Sequence, residues 1–139
     1  MKSVHDNEIV SYEVNLKENS IKLNTVIRDT EEQIEVRFSN VIAHVFEEEL
    51  PGSIILDIEE SNLENFFKSN EKLLQEKKDY FWPMIYKTES EFHEKLKNEN
   101  ISYFIIFSSY GLNGWVLAKK LTYKKLNKKN KIIKDLSDY

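Results

Sequence analysis

The chain predicts an α+β fold, with a mainly antiparallel sheet of about five to six strands and one or two helices packed on one face. Three observations carry that prediction. Apolar and polar residues alternate through much of residues 10–38, the period-two pattern of strands buried on one face. The period then lengthens to that of an amphipathic helix after residue 61 and again after residue 89. Two apolar runs joined by a glycine-bearing loop follow, as in a hairpin. Strands first, helices next and strands last are segregated elements, which places the chain in the α+β class.

Taken in order, residues 1–7 carry no pattern and are expected to be a frayed, mobile start. Val10, Tyr12, Val14 and Leu16 alternate with Ser11, Glu13 and Asn15, giving a first strand. After the polar turn Lys17-Glu18-Asn19-Ser20, the alternation resumes at Ile21, Leu23, Thr25 and Ile27, which completes a hairpin. Arg28 to Glu32 connect to a third strand through Ile34, Val36 and Phe38. The run Val41 to Phe46 is apolar without alternation and reads as a strand continued after a bulge or as a short helical turn. Pro51-Gly52 punctuates the chain before a β-branched fourth strand, Ser53 to Ile58.

Ser61 with Glu64 three residues on has the form of a capping box, in which each side chain satisfies an orphan backbone N–H. Leu63, Phe66, Phe67, Asn70, Leu73 and Leu74 then recur at helical spacing to about Lys78. Asp79 to Tyr86 crowd aromatic and apolar residues around Pro83, which cannot sit inside a helix, so this segment reads as a kinked, buried connector. The aromatic cluster is read as core in preference to a ligand groove. Glu89 to Asn98 form a second helix with Phe92 and Leu96 inward. Ile101 to Phe107 and Trp115 to Leu121 are two strands of a hairpin, and the unbroken run Tyr103 to Phe107 predicts a strand covered on both faces. The last 21 residues hold eight lysines among scattered apolar residues and read as a weak helix or a tail, mobile from about residue 125.

A length of 139 residues without a Pro-, Gly- or Ser-rich linker predicts one domain over residues 1–139. The chain has no cysteine, which excludes disulfides, thiol catalysis, cysteine zinc sites and iron–sulfur clusters and suits a reducing compartment. No apolar leader or membrane-spanning run is visible, so a cytoplasmic location without membrane contact is expected. Heavy use of Lys, Asn, Glu and Ile points to an AT-rich bacterial genome. Charge is divided along the chain: residues 1–65 carry net −10 and residues 66–139 carry net +6. Such polarity marks either a charged binding face or two halves that neutralise each other on folding.

Chemistry-bearing patterns are few. The three glycines, Gly52, Gly111 and Gly114, form no phosphate-binding loop, and His5, His44 and His93 form no ligand pair at helical spacing. The most site-like cluster is His44 followed by Glu47-Glu48-Glu49, where a carboxylate near an imidazole suits a general base or a hard cation; the plainer reading is a strand-end histidine and a solvated acidic turn. Asp57, Glu59 and Glu60 follow the fourth strand, where Glu59 and Glu60 suit the positive N-terminus of the next helix. Ser108-Ser109-Tyr110 has no identifiable base. Clustered C-terminal lysines suit phosphates, but the acidic chain with only Arg28 and Arg37 does not favour nucleic acid. The residues therefore assign no catalytic group, no cofactor and no metal.

In size, acidity, lack of cysteine and its strand-meander-then-helix layout, the chain resembles small bacterial proteins and the immunity proteins encoded beside polymorphic toxins. The resemblance is one of style over the whole length and has no diagnostic motif. It implies a non-enzymatic protein-binding module that neutralises a toxin. Glu47, Glu48, Glu49, Glu59 and Glu60 are then the candidate residues for meeting a basic protein partner. Two alternatives stand beside it. One is a small-molecule-binding protein or enzyme with a cleft between sheet and helices, and the other is a structural homo-oligomer joined through strand edges or an aromatic surface.

Overall fold

Period-two alternation forms a sheet only when strands share a register, and here the alternating segments pair antiparallel throughout. The computed structural model describes residues 4–126 and the backbone of residues 132–135. The strands are β1 (Glu8–Asn15), β2 (Ser20–Val26), β3 (Gln33–Glu47), β4 (Ile54–Ser61), β5 (Ser102–Tyr110), β6 (Asn113–Leu126) and β7 (Ile132–Asp135). Between β4 and β5 lie the helices α1 (Leu63–Ser69), α2 (Glu71–Lys77) and α3 (Glu89–Asn98), with a 3₁₀ turn at Lys78–Tyr80. The fold is α+β.

Strand order is β3-β2-β1-β4-β5-β6-β7, and β3 also pairs with β6, so six strands close into a ring. The long strands make closure possible. β3 pairs with β2 through Gln33–Ser39 on one edge and with β6 from Gln33 to Glu47 on the other. β6 in turn holds β5 along Gly114–Ala118 and β7 along Lys124–Leu126. The weakest seam joins β1 to β4, where the only ladder pair is Glu8 with Ile54.

Alternation fills the two faces of the sheet with different partners. Inside the ring, Ile9, Ile21, Leu23, Val36, Phe38, Ile55, Phe104, Ile106 and Val116 form one core. Outside it, Tyr103, Trp115 and Leu117 turn toward the helices and pack with Phe66, Phe67, Leu74, Phe92 and Leu96. Phe66 is fully buried at the centre of that layer, with the rings of Phe67, Tyr103 and Trp115 edge-on at 5.1–5.2 Å. This explains the apolar run of β5 as far as Ile106: Phe104 and Ile106 face the ring interior and Tyr103 faces the helices, whereas Phe107, at the end of the run expected to be covered on both faces, is exposed.

Several expectations change at the level of detail. Val4 is fully buried and Asn7, itself buried, donates to Thr25 Oγ1, so these two residues join the core while His5 and Asp6 stay exposed. A bulge between Ile9 and Ser11 turns Val10 outward, and Leu16 lies exposed in the following turn, so only Tyr12 and Val14 of that alternating set face the core. The run from Val41 is the continued strand, with Asn40 at φ 54° and a bulge between Val41 and Ala43. The N-cap of α1 is Asn62, whose side chain accepts from the Asn65 N–H; Ser61 instead accepts from the Asn65 side chain. The expected long helix is broken at Asn70, whose side-chain amide donates to the Phe66 carbonyl.

The aromatic connector is only half buried. Trp82, Met84 and Tyr86 pack on the helix layer, while Tyr80, Phe81 and Ile85 point to solvent at 77%, 67% and 73% exposure. Residues from Lys119 to Leu126 are strand rather than helix or tail, because β3 supplies a partner edge along their whole length. Within the mobile end expected from about residue 125, Ile132–Asp135 are strand and residues 127–131 and 136–139 lie outside the described residues. Among the described residues, no helix is long and apolar enough to cross a membrane.

Candidate functional site

The acidic triplet sits where β3 runs out of partner. Its last ladder pair is Glu47 with Asn113, after which Glu48 takes a left-handed conformation at φ 57° and the chain turns through Pro51-Gly52 into β4. Buried Ser53 clamps this turn: its hydroxyl donates to the Leu50 carbonyl at 2.6 Å and accepts the Leu112 N–H at 2.8 Å. Glu47, Glu48 and Glu49 are therefore held at the surface by a fixed turn, and all three are exposed.

Glu49 reaches β1 and accepts a hydrogen bond from the Tyr12 hydroxyl. That bond to a carboxylate, with partial burial, pushes the Tyr12 phenol up from its ordinary value. The Tyr12 ring stands edge-on to Phe46 at 5.1 Å, and Phe46 lies 4.9 Å from the His44 ring. Burial pushes the His44 imidazole below its ordinary value, with the charge of Glu49 opposing the shift. The structure thus links His44 to the carboxylate that the sequence pairs it with through two non-parallel ring contacts, His44 on Phe46 and Phe46 on Tyr12. His44 opens onto a cavity of about 190 Å³ that it shares with Trp82 and the β1–β2 turn.

Glu59 and Glu60 are also exposed, but they lie within β4 rather than at the start of α1. The first-turn acid of that helix is Glu64. Glu60 accepts from Ser102 at 2.9 Å. Ladder pairs place Glu60, Phe104, Val116 and His44 in one row across β4, β5, β6 and β3. Three strand steps, roughly 14 Å along the sheet, separate the row's ends. The five candidate acids form two groups, not one patch.

The charge polarity of the sequence is partly consumed by folding. β3 comes from the acidic half and β6 from the basic half, and their register sets Glu35 opposite Lys124, with Glu32 paired to Lys125. Hydrogen bonding from Lys125 holds the Glu32 carboxyl below its ordinary value. At the other end of the same ladder, Phe46 and Glu47 meet Gly114 and Asn113, which bring no cation. Among the described residues, the ion pairs are Lys22–Glu13, Arg37–Glu35 and Lys125–Glu32, with the His5 ring 3.4 Å from Asp6, so Glu47, Glu48 and Glu49 take part in none.

Two further features were not visible as patterns. A groove of about 400 Å³ lies between β1 and the turn after Glu49, with Val10 and Leu50 exposed along it. A larger cleft of about 620 Å³ runs between the helices and is lined by Phe67, Lys68, Glu71, Tyr86 and His93. Val10, turned outward by the β1 bulge, lines the groove, and the helix cleft is lined by residues of α1, α2 and α3; no local pattern in the sequence marks either. No group of three or more His, Asp or Glu side chains among the described residues is arranged to hold a metal ion. Compared with protein-family models, curated proteins and solved structures, the chain finds no match.

Proposed function

We propose that the chain is a non-enzymatic protein-binding module that meets a basic protein partner through the turn Glu47-Glu48-Glu49, acting as an immunity protein that neutralises a toxin. One observation supports this above the others: Glu47, Glu48 and Glu49 stand exposed on a turn held by Ser53 and, among the described residues, take part in no ion pair, whereas Glu32 and Glu35 of the same acidic half are paired with Lys125 and Arg37. Fixed, uncompensated charge of one sign raises the association rate with an oppositely charged partner and disfavours others. A chain without cysteine suits the reducing cytoplasm of a bacterial host, where such a partner would be met.

The test is capture from the native host at low ionic strength, followed by charge reversal. Glu47→Lys with Glu48→Lys, which spares the Tyr12–Glu49 bond, should slow association with the captured basic partner about tenfold or more while the melting temperature stays unchanged. Binding that is indifferent both to the double reversal and to added salt would remove the basis for this reading.

A further inference from the structure

We propose that the partner docks as an added β-strand, with the open edge of β1 from Val10 to Asn15 and the adjoining groove taking an extended, lysine- or arginine-bearing segment. The inference rests on the reading of the chain as a module for a basic protein and specifies how that partner is held.

β1 pairs with β2 from Glu8 to Asn15, but on its other edge it pairs with β4 only at Glu8. The last backbone bond on that side is from the Ile9 N–H to the Ser53 carbonyl, at 2.8 Å. Among the described residues, nothing pairs with this edge from Val10 to Asn15. Such an edge presents a row of N–H and C=O groups, which is a template for another strand.

The neighbouring side chains select the occupant. The bulge at Val10 leaves it 53% exposed, and across the groove Leu50 is 47% exposed, so apolar contacts stand on both sides of the open backbone. Glu8 and Glu49 line the same groove, with Glu13 further along β1 and Glu47 and Glu48 in the adjoining turn. Lys22 and Glu13 engage each other at 3.9 Å, which leaves Glu8, Glu47, Glu48 and Glu49 against Lys17 alone among the bases of the β1–β2 hairpin. In an extended segment successive side chains point to opposite faces, so alternating basic and apolar residues would serve the acids and the Val10–Leu50 contacts together. An anionic segment would face like charge, and a helix would leave the open backbone of β1 unpaired.

The probe is a short synthetic peptide of alternating lysine and valine, used with the full chain and compared with its N-methylated counterpart, which keeps charge and side chains but cannot donate along one edge. Backbone amide resonances are followed by NMR and amide hydrogen exchange. Strand addition predicts slowed exchange in residues 10–15, shifts confined to β1 and the turn after Glu47, and roughly tenfold weaker binding of the methylated peptide. Ser11→Pro, which distorts the edge, should weaken the parent peptide and leave the methylated one unaffected. Equal binding of both peptides at Glu47 to Glu49, without protection of β1, would overturn strand addition and leave the acidic-surface reading intact. Absence of binding by either peptide would overturn both. A concentration-dependent dimer that protects the same β1 amides without peptide would assign the edge to a second copy and also overturn the proposal.

Discussion

Gly114 of β6 lies directly against the backbone of Val45 in β3. A Cβ on Gly114 would stand 2.9 Å from the Val45 carbonyl carbon, with its oxygen nearer still, and 3.0 Å from Phe46 Cα. The contact occurs in the β3–β6 ladder that closes the ring, one pair from the acidic turn. Backbone atoms cannot swing aside as a flexible side chain can, so this glycine sets how closely the two strands approach.

Gly114→Ala should therefore cost about 3 kcal/mol, at the upper end of overpacking effects, and shift the denaturant midpoint at an unchanged slope. Gly52→Ala is the control: its added Cβ meets nothing within 4 Å, and its cost comes only from the φ of +82°. A Gly114→Ala variant as stable as the parent would mean that β3 and β6 are not held at this distance.

Phe66 and Phe81 are both phenylalanines of the helical segment, and their environments predict opposite outcomes. Phe66 is fully buried among four aromatic rings, so Phe66→Ala should cost about 3–5 kcal/mol in urea unfolding. Phe81 is 67% exposed, so Phe81→Ala should change stability by about 0.5 kcal/mol or less.

His44 makes stability sensitive to acid. Its folded value lies below the ordinary 6.5 because of burial, so the unfolded chain takes up the proton first. Its contribution is fully present above 6.5 and is lost as the pH falls below that value toward the folded one. Between about pH 7.5 and about pH 5.5, the parent should lose more thermal stability than His44→Gln, as calorimetry would show. Equal losses would mean that the ring is not desolvated when folded.

Tyr123 does the reverse at high pH. Burial, aided by the charge of Asp57, pushes its phenol up from 10.0 to about 12. The unfolded chain ionises first, so stability is intact below 10 and declines as the pH rises from 10 through 12. Tyr123→Phe should flatten that alkaline decline, and the ultraviolet titration of the folded parent should lose one late-ionising phenol on this substitution.

Much of the fold was legible because local patterns and tertiary demands agree. Ile21, Leu23, Ile34, Val36 and Phe38 alternate in sequence and fill the ring interior, and Phe92 and Leu96 sit one helical turn apart and pack on the sheet. Illegible positions were those where a single residue breaks the period. The bulge at Val10 inverts an exposure that alternation assigned inward, and Asn70 ends a helix that the apolar spacing carried through. The lysine-rich stretch from Lys119 has a weak intrinsic pattern and becomes strand because β3 offers it a partner edge from Ser39 back to Gln33.

The candidate site divides in the same way. Composition by itself determined that cysteine chemistry and glycine-rich phosphate loops are closed to this chain, and it set an acidic half against a basic one; these are properties of residue type, which folding cannot alter. Tertiary structure alone decided which acids keep their charge uncompensated: the β3–β6 register brings Lys125 to Glu32 and sets Lys124 opposite Glu35, which itself pairs with Arg37, and brings only Asn113 and Gly114 to the strand end that carries Glu47. Pairing in a sheet is fixed by hydrogen-bond register between segments about 80 residues apart, and no local pattern records it.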